Sequence, residues 1–297
     1  MSAVARRRRR RSVAPPPAFI DVIGPSGAGK STIAPLLADE LERRLGSGTV
    51  LLDRSGPGRM RIPWSERIVA TLRRPGVLRA VPTLLRAWPR KPPHRRLGRA
   101  VIRLTRRLAP SQRARRSGAR LVVMDQGVFH GAKVPVEDVI SALPRPLHPT
   151  AFVEVTAPRA ERARRSITRD KPRPASSRAT GPERLEKATR TAQALATLPT
   201  DEAHELLHRY GQERLDPPLS ETEVASLLQT GRTTAATSQA STPTDGAICW
   251  AEATRGGIPI LTVNNVEGRS GQLAAAAAEA LSESGKAGAG QASDDVD

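Results

Sequence analysis

In the stretch Ala18-Phe-Ile-Asp-Val-Ile-Gly-Pro-Ser-Gly-Ala-Gly-Lys-Ser31, Ala18–Ile23 reads as a buried strand, and Gly24–Ser31 matches G-x-x-x-x-G-K-[ST] in full. Residues 30–45 then place Ile33, Leu36, Leu37, Leu41 and Leu45 at helical spacing. A strand, a glycine-rich turn and a helix in that order form a phosphate cradle. Gly24, Gly27 and Gly29 allow positive φ, so backbone N–H groups can point inward at an anion. The start of the helix adds orphan donors and partial positive charge. Lys30 is the expected cation for the β- and γ-phosphates, and the Ser31 hydroxyl an expected ligand for Mg²⁺. Gly24, Pro25, Ser26, Gly27, Ala28, Gly29, Lys30, Ser31 and Thr32 are thus the expected contacts of a bound nucleoside triphosphate, ATP by expectation.

Outward from this loop, short apolar runs alternate with longer helical patterns, which predicts an α/β sheet fold. Further strands are expected at 49–52, 121–124, 151–155 and 258–263, giving a central parallel five-stranded sheet in a three-layer α/β/α arrangement. Helical patterns occupy 158–171, 182–197, 201–213, 221–229 and 270–283. Ser220-Glu221-Thr222-Glu223 has the form of a capping box. Residues 62–118 are Arg-rich and interrupted by prolines at 75, 82, 89, 92 and 93, and predict a helical insertion of several short helices. Thr230–Gly246 lacks a period and reads as a mobile loop.

Two acids end strands. Asp125 closes Leu121-Val-Val-Met-Asp125, at the carboxyl edge where open α/β sheets hold ligands, and is the second expected Mg²⁺ ligand opposite Ser31. Gln126 comes next. A Glu there activates water in many ATPases, so Gln126 favours transfer to a substrate over hydrolysis. Asp53 ends the second strand, expected beside the phosphate loop, where a carboxylate can take the proton of an attacking hydroxyl. Arg54 is positioned to hold an anionic part of that acceptor. After the fourth strand come Arg159, Arg162, Arg164, Arg165, Arg169 and Arg173. On a helix, Arg162, Arg165 and Arg169 fall on one face and Arg164 on another. Guanidiniums that close over a transferring phosphoryl group stabilise its developing charge, which makes Arg165 and Arg169 candidate catalytic groups beside Lys30 and Asp53.

The 297 residues carry 48 Lys+Arg against 29 Asp+Glu, a formal charge of +19. Only six of the basic residues are lysine, and aromatics are 2%. Abundant Arg, Ala, Pro and Gly together reflect a composition bias more than a dedicated polyanion partner. The charge still favours weak, non-specific binding of anions or nucleic acid in low salt, above all through Arg6–Arg11. Residues 1–16 are expected as a disordered basic arm and 284–297 as a disordered tail, leaving 17–283 as the folded domain. No run of about 18 uncharged apolar residues predicts a membrane span, and no apolar stretch succeeds the basic start as in a secretory signal. The lone Cys249 excludes an internal disulfide framework. A cytoplasmic location is the expectation. His204-Glu-Leu-Leu-His208 is a literal H-E-x-x-H, but polar Asp201, Glu202 and Arg209 surround it, Arg214 stands where a third histidine would, and nothing in the spacing demands Glu221 or Glu223 as a substitute, so zinc binding is not expected there.

Taken together, the loop Gly24–Ser31, Asp125 after the third strand, the fourth strand leading to Arg165-x-x-x-Arg169, the last strand with Asn264-Asn265, and the closing helix resemble the P-loop small-molecule kinases of the nucleoside-monophosphate and thymidylate kinase type. The resemblance spans roughly residues 17–283, with only the loop highly specific. It implies a P-loop fold, Mg²⁺·ATP as phosphoryl donor, and a closing lid at 158–178. Asp53-Arg-Ser-Gly-Pro-Gly58 stands where thymidylate kinases usually carry an Arg-Glu-Pro-Gly-Gly-type segment, and Gln126-Gly127 where they carry Arg or an equivalent. Both departures fall in the acceptor region, so phosphoryl transfer to a small-molecule acceptor carries over and thymidylate does not. A kinase acting on nucleic-acid ends and a slowly hydrolysing ATP-binding regulatory protein are the alternatives. The scattered Trp64, Trp88 and Tyr210 offer little stacking surface for the first.

Overall fold

The computed structural model describes residues 15–53, 81–82, 85, 93–125, 136–169, 178–237, 248–250, 254–255, 257–265 and 269–285. The expected arm (but for residues 15–16), nearly all of the expected tail, Arg54, Gln126, Arg173, about half of the 62–118 insertion and the latter part of the 230–246 loop lie outside them. Six strands and eight helices are described: β1 (Ala18–Ile23), α1 (Lys30–Leu45), β2 (Val50–Asp53), α2 (Pro93–Ser117), β3 (Leu121–Asp125), α3 (Val136–Ala142), β4 (Ala151–Thr156), α4 (Arg159–Arg169), α5 (Pro182–Leu195), α6 (Thr200–Arg214), α7 (Glu221–Thr237), β5 (Ile248–Trp250), β6 (Ile260–Asn264) and α8 (Ser270–Glu283).

The sheet order is β2-β3-β1-β4-β6-β5. The first five strands are parallel, and β5 adds an antiparallel edge that the sequence pattern did not predict. Residue alternation assigns the two faces. Ile20, Val22, Leu121, Val123, Val153, Val155, Leu261 and Val263 bury against α1 and α8. Phe19, Val122, Met124, Phe152 and Ile260 bury on the other face against Leu104 and Leu108 of α2 and Val139 and Ile140 of α3. Helices thus cover both faces, and each fully buried Leu, Ile, Val or Phe contributes about 1.5–3 kcal/mol.

Helix α2 departs from the expected series of short helices. Residues 93–117 form one helix that runs through Pro110, because its buried stripe of Leu104, Leu108 and Ala114 continues across the proline. The same stripe carries Arg107, wholly buried. Its Nη1 donates to Asp21 Oδ2 at 2.7 Å, its Nε to the Leu147 carbonyl at 2.8 Å, and its guanidinium lies 4.0 Å from the Phe19 ring centre. Burial pushes the Asp21 carboxyl up and the Arg107 guanidinium down in pKa, while their contact opposes both shifts.

Helices α4 to α7 enclose a third core of their own, including Ile167, Ala188, Ala192, Leu207, Val224 and Leu228. Part of the segment expected as a mobile loop belongs here, since α7 continues to Thr237. Buried Gly231 packs on the backbone of Ala192, where a Cβ would stand 3.0 Å from its carbonyl carbon. The hydroxyls of Thr230, Thr233 and Thr234 donate to carbonyls four residues back. The capping box opens α7 as its residues imply: Glu223 N–H donates to Ser220 Oγ and Ser220 N–H to Glu223 Oε2, at 3.2 and 2.9 Å.

Candidate functional site

From β1 the chain crosses to one side of the sheet to reach β2, whereas from β4 it crosses to the other side to reach β6. Adjacent strands whose connections diverge leave a crevice at their carboxyl ends, and the loop 24–29 lies there. Gly24, Gly27 and Gly29 adopt φ of 135°, 80° and 95°. Each also admits a close neighbour. A Cβ on Gly24 would stand 2.1 Å from the Val155 carbonyl oxygen, one on Gly27 2.4 Å from that of Arg162, and one on Gly29 2.1 Å from Asn265 Nδ2. Glycine is required twice over, by backbone conformation and by space.

The loop is clamped from the far side of the sheet. Asn265, at the end of β6, donates through Nδ2 to the Ala28 carbonyl at 2.8 Å, and its own N–H donates to Thr156 O. Ser270 Oγ donates to Asn265 Oδ1 at 3.0 Å, which fixes the orientation of the amide. Lys30 is nearly buried and donates from Nζ across the loop to the Pro25 carbonyl at 2.6 Å. Helix α1 starts at Gly29 in a left-handed conformation with no side-chain cap and no acid in its first turn, among the described residues. Its positive end therefore carries no counter-charge from its own cap or first turn.

Asp125 is buried at the last position of β3, in register with Val22 of β1, two residues before the loop begins. Asp53 does not end a strand adjacent to β1, as its expected place beside the loop implied: β3 stands between β1 and β2. Asp53 is in register with Met124, so it ends the strand next to Asp125. The two acids therefore share one stretch of the carboxyl edge.

Helix α4 reaches the loop from the β4 side. The Arg162 carbonyl lies against Gly27, and Arg165 Nη1 lies 3.6 Å from where a Cβ of Gly29 would stand. Arg165 Nε donates to Glu161 Oε1 at 2.7 Å, and Arg164 Nε to Glu161 Oε2 at 3.1 Å. Arg164 also approaches Glu202 of α6 at 3.6 Å. Arg164 and Arg165 share Glu161, but Arg164 turns to Glu202 of α6 while Arg165 reaches the loop. Arg169 closes α4, and its side chain lies outside the described residues. Asn265 entered the sequence reading only as part of the Asn264-Asn265 pair of the resemblance, with no role given, and Glu161 not at all, although the spacing of Glu161 to Arg165, i to i+4, could have marked it.

The H-E-x-x-H histidines lie on α6 with rings parallel and 6.5 Å apart, both meeting Glu221 of α7 at 3.2 Å from Nε2. They bracket a carboxylate. Among the described residues, no group of three or more His, Cys, Asp and Glu side chains is arranged to hold a metal ion, and no helix is long and apolar enough to cross a membrane. Compared with known proteins, the chain matches no family model and no curated protein.

Proposed function

We propose that this protein transfers the γ-phosphoryl group of ATP to a small-molecule acceptor, with nucleotides and nucleosides the first acceptors to test. The observation that carries this reading is the loop 24–29: three positive-φ glycines, Lys30 lying across them, and an uncapped helix end aimed at the same space. In the transfer, the bond from the γ-phosphorus to the bridging oxygen of ADP breaks as a bond to the acceptor oxygen forms, and the acceptor proton passes to a carboxylate. Asp53 is the proposed base, with its neighbour strand presenting Asp125. The donor set suits Mg²⁺: the Ser31 hydroxyl and the Asp125 carboxylate are hard oxygen ligands, and Mg²⁺ in phosphoryl-transfer sites takes only one or two carboxylates besides substrate phosphates and water. When bound it neutralises charge on the β- and γ-oxygens. Lys30 exchanges its contact with the Pro25 carbonyl for the phosphates, and Arg165, with Arg169 by spacing, meets the charge on the transferring group.

The test is ATP consumption by the purified protein against panels of nucleosides, nucleotides, sugars and short oligonucleotides, beside Lys30→Ala. Acceptor-dependent ADP formation that Lys30→Ala abolishes, with the melting temperature unchanged, is the expected result. Normal turnover by Lys30→Ala ends the reading.

A further inference from the structure

We infer that Glu161 is a positioning residue for the phosphoryl-transfer site, holding Arg165 against the phosphate loop; the inference rests on the function proposed above. Helix α4 has the sequence Arg159-Ala-Glu-Arg-Ala-Arg-Arg-Ser-Ile-Thr-Arg169, with five arginines and one acid. Arginines 162, 164 and 165 lie within one turn and repel one another, so the conformation of each is set by the available counter-charge. Glu161 supplies it from a mostly buried side chain, 13% exposed. One oxygen takes Arg165 Nε and the other takes Arg164. The charge-assisted contact at Nε restrains the guanidinium, whose Nη1 lies at Gly29. Arg164 meanwhile reaches Glu202, which ties the same carboxylate to α6 across an open cleft of about 270 Å³ lined also by Thr168, Glu205 and Arg209. Glu161 thus links the helical layer to the loop without itself facing the phosphates. An arginine fixed before the substrate arrives forfeits little rotamer freedom when it meets the transition state, so the gain falls on transition-state affinity more than on nucleotide affinity.

The experiment compares the dissociation constants of Mg·ADP and of Mg·ADP with aluminium fluoride, a mimic of the transferring phosphoryl group, by calorimetry. Wild type, Glu161→Ala, Glu161→Gln, Arg165→Ala and the Glu161→Ala/Arg165→Ala pair are measured on the full chain. Wild type is expected to bind the fluoride complex more tightly than ADP. Glu161→Ala should lose about tenfold or more of that preference with ADP affinity nearly unchanged, Glu161→Gln should recover part of it, and the double variant should be no worse than Arg165→Ala alone, as for groups acting in series. Losses that multiply in the double variant, or a Glu161→Ala that keeps the preference, overturn the role of Glu161 alone. A wild type with no preference overturns the phosphoryl-transfer reading, and this inference with it. Equal loss of ADP and fluoride-complex affinity in Glu161→Ala, with a lowered melting temperature, reduces Glu161 to a structural pair.

Discussion

At Gly29 the demands on a single residue can be counted: φ of 95°, an Asn265 amide 2.1 Å from any Cβ, and Arg165 beyond it. Gly29→Ala therefore strains the backbone and pushes Asn265 off Ala28 at once. Its expected result is loss of ATP binding together with a destabilisation of about 1–3 kcal/mol, read by urea unfolding. Glu223 gives a prediction of the opposite kind. The Arg184 fork and the Ser220 N–H hold its carboxyl down at about 2, from an ordinary 4.5. A depressed carboxyl stabilises the fold fully above the unfolded value and loses that contribution as pH falls from 4.5 through about 2. The group is exposed and screened, so Glu223→Ala should cost about 1 kcal/mol at neutral pH, mostly as a lost helix cap. The gap to wild type should close between pH 4.5 and 2 in melting curves taken across that range; a gap constant over all pH values would show that the charge plays no part. The glycines and Lys30 were legible because they form one contiguous motif, and the capping box because its partners are three residues apart. The clamp by Asn265 was not, because its partner Ala28 lies 237 positions away and the Asn264-Asn265 pair after the last strand does not say what it would bind.

Elements were legible to the extent that one period governed each. The five parallel strands and helices α1 and α8 follow directly from apolar runs and helical spacing. Helix α2 was legible only in part: Pro92-Pro93, read as a break, marks its start, but its 25-residue length was not expected, and the buried stripe that carries it through Pro110 is visible only against the sheet. Asp21 was hidden in the same way: inside β1 it interrupts an apolar strand, and its partner Arg107 arrives from 86 residues on. Buried pairs of this kind are costly to break and cheap to replace. Arg107→Leu alone should leave the buried Asp21 uncompensated and destabilise by about 3–5 kcal/mol. Asp21→Val with Arg107→Leu should recover most of that loss, since two apolar side chains then meet beside Phe19. Denaturant unfolding of the two single variants and the double variant decides it. A double variant as unstable as the worse single one would mean that the bond from Arg107 to the Leu147 carbonyl, in the turn before β4, and not the ion pair to β1, holds α2 in place.

For the molecule as a whole, three cores are joined at one place: the two faces of the sheet support the carboxyl edge, and the α4–α7 core meets it where α4 touches Gly27 and Gly29. The expected lid was drawn as one arginine-rich segment, because sequence alone shows charge and not the helices it packs with; its described part, α4, shares a core with α5, α6 and α7. That division sets an expectation for a residue remote from the loop. Leu207 is wholly buried in the third core, on α6, the helix that Arg164 reaches through Glu202. Leu207→Ala should cost about 2–5 kcal/mol through the cavity it leaves. Its effect on activity should pass through α4: the loop keeps its clamp from Asn265, so ADP affinity stays within about twofold, while turnover falls on the order of tenfold as Arg165 loses its fixed position. Calorimetry with ADP and initial rates with the identified acceptor, both well below the variant's melting temperature, separate the two. Turnover and ADP affinity falling together would mean that the helical layer supports the phosphate loop itself rather than the arginine that faces it.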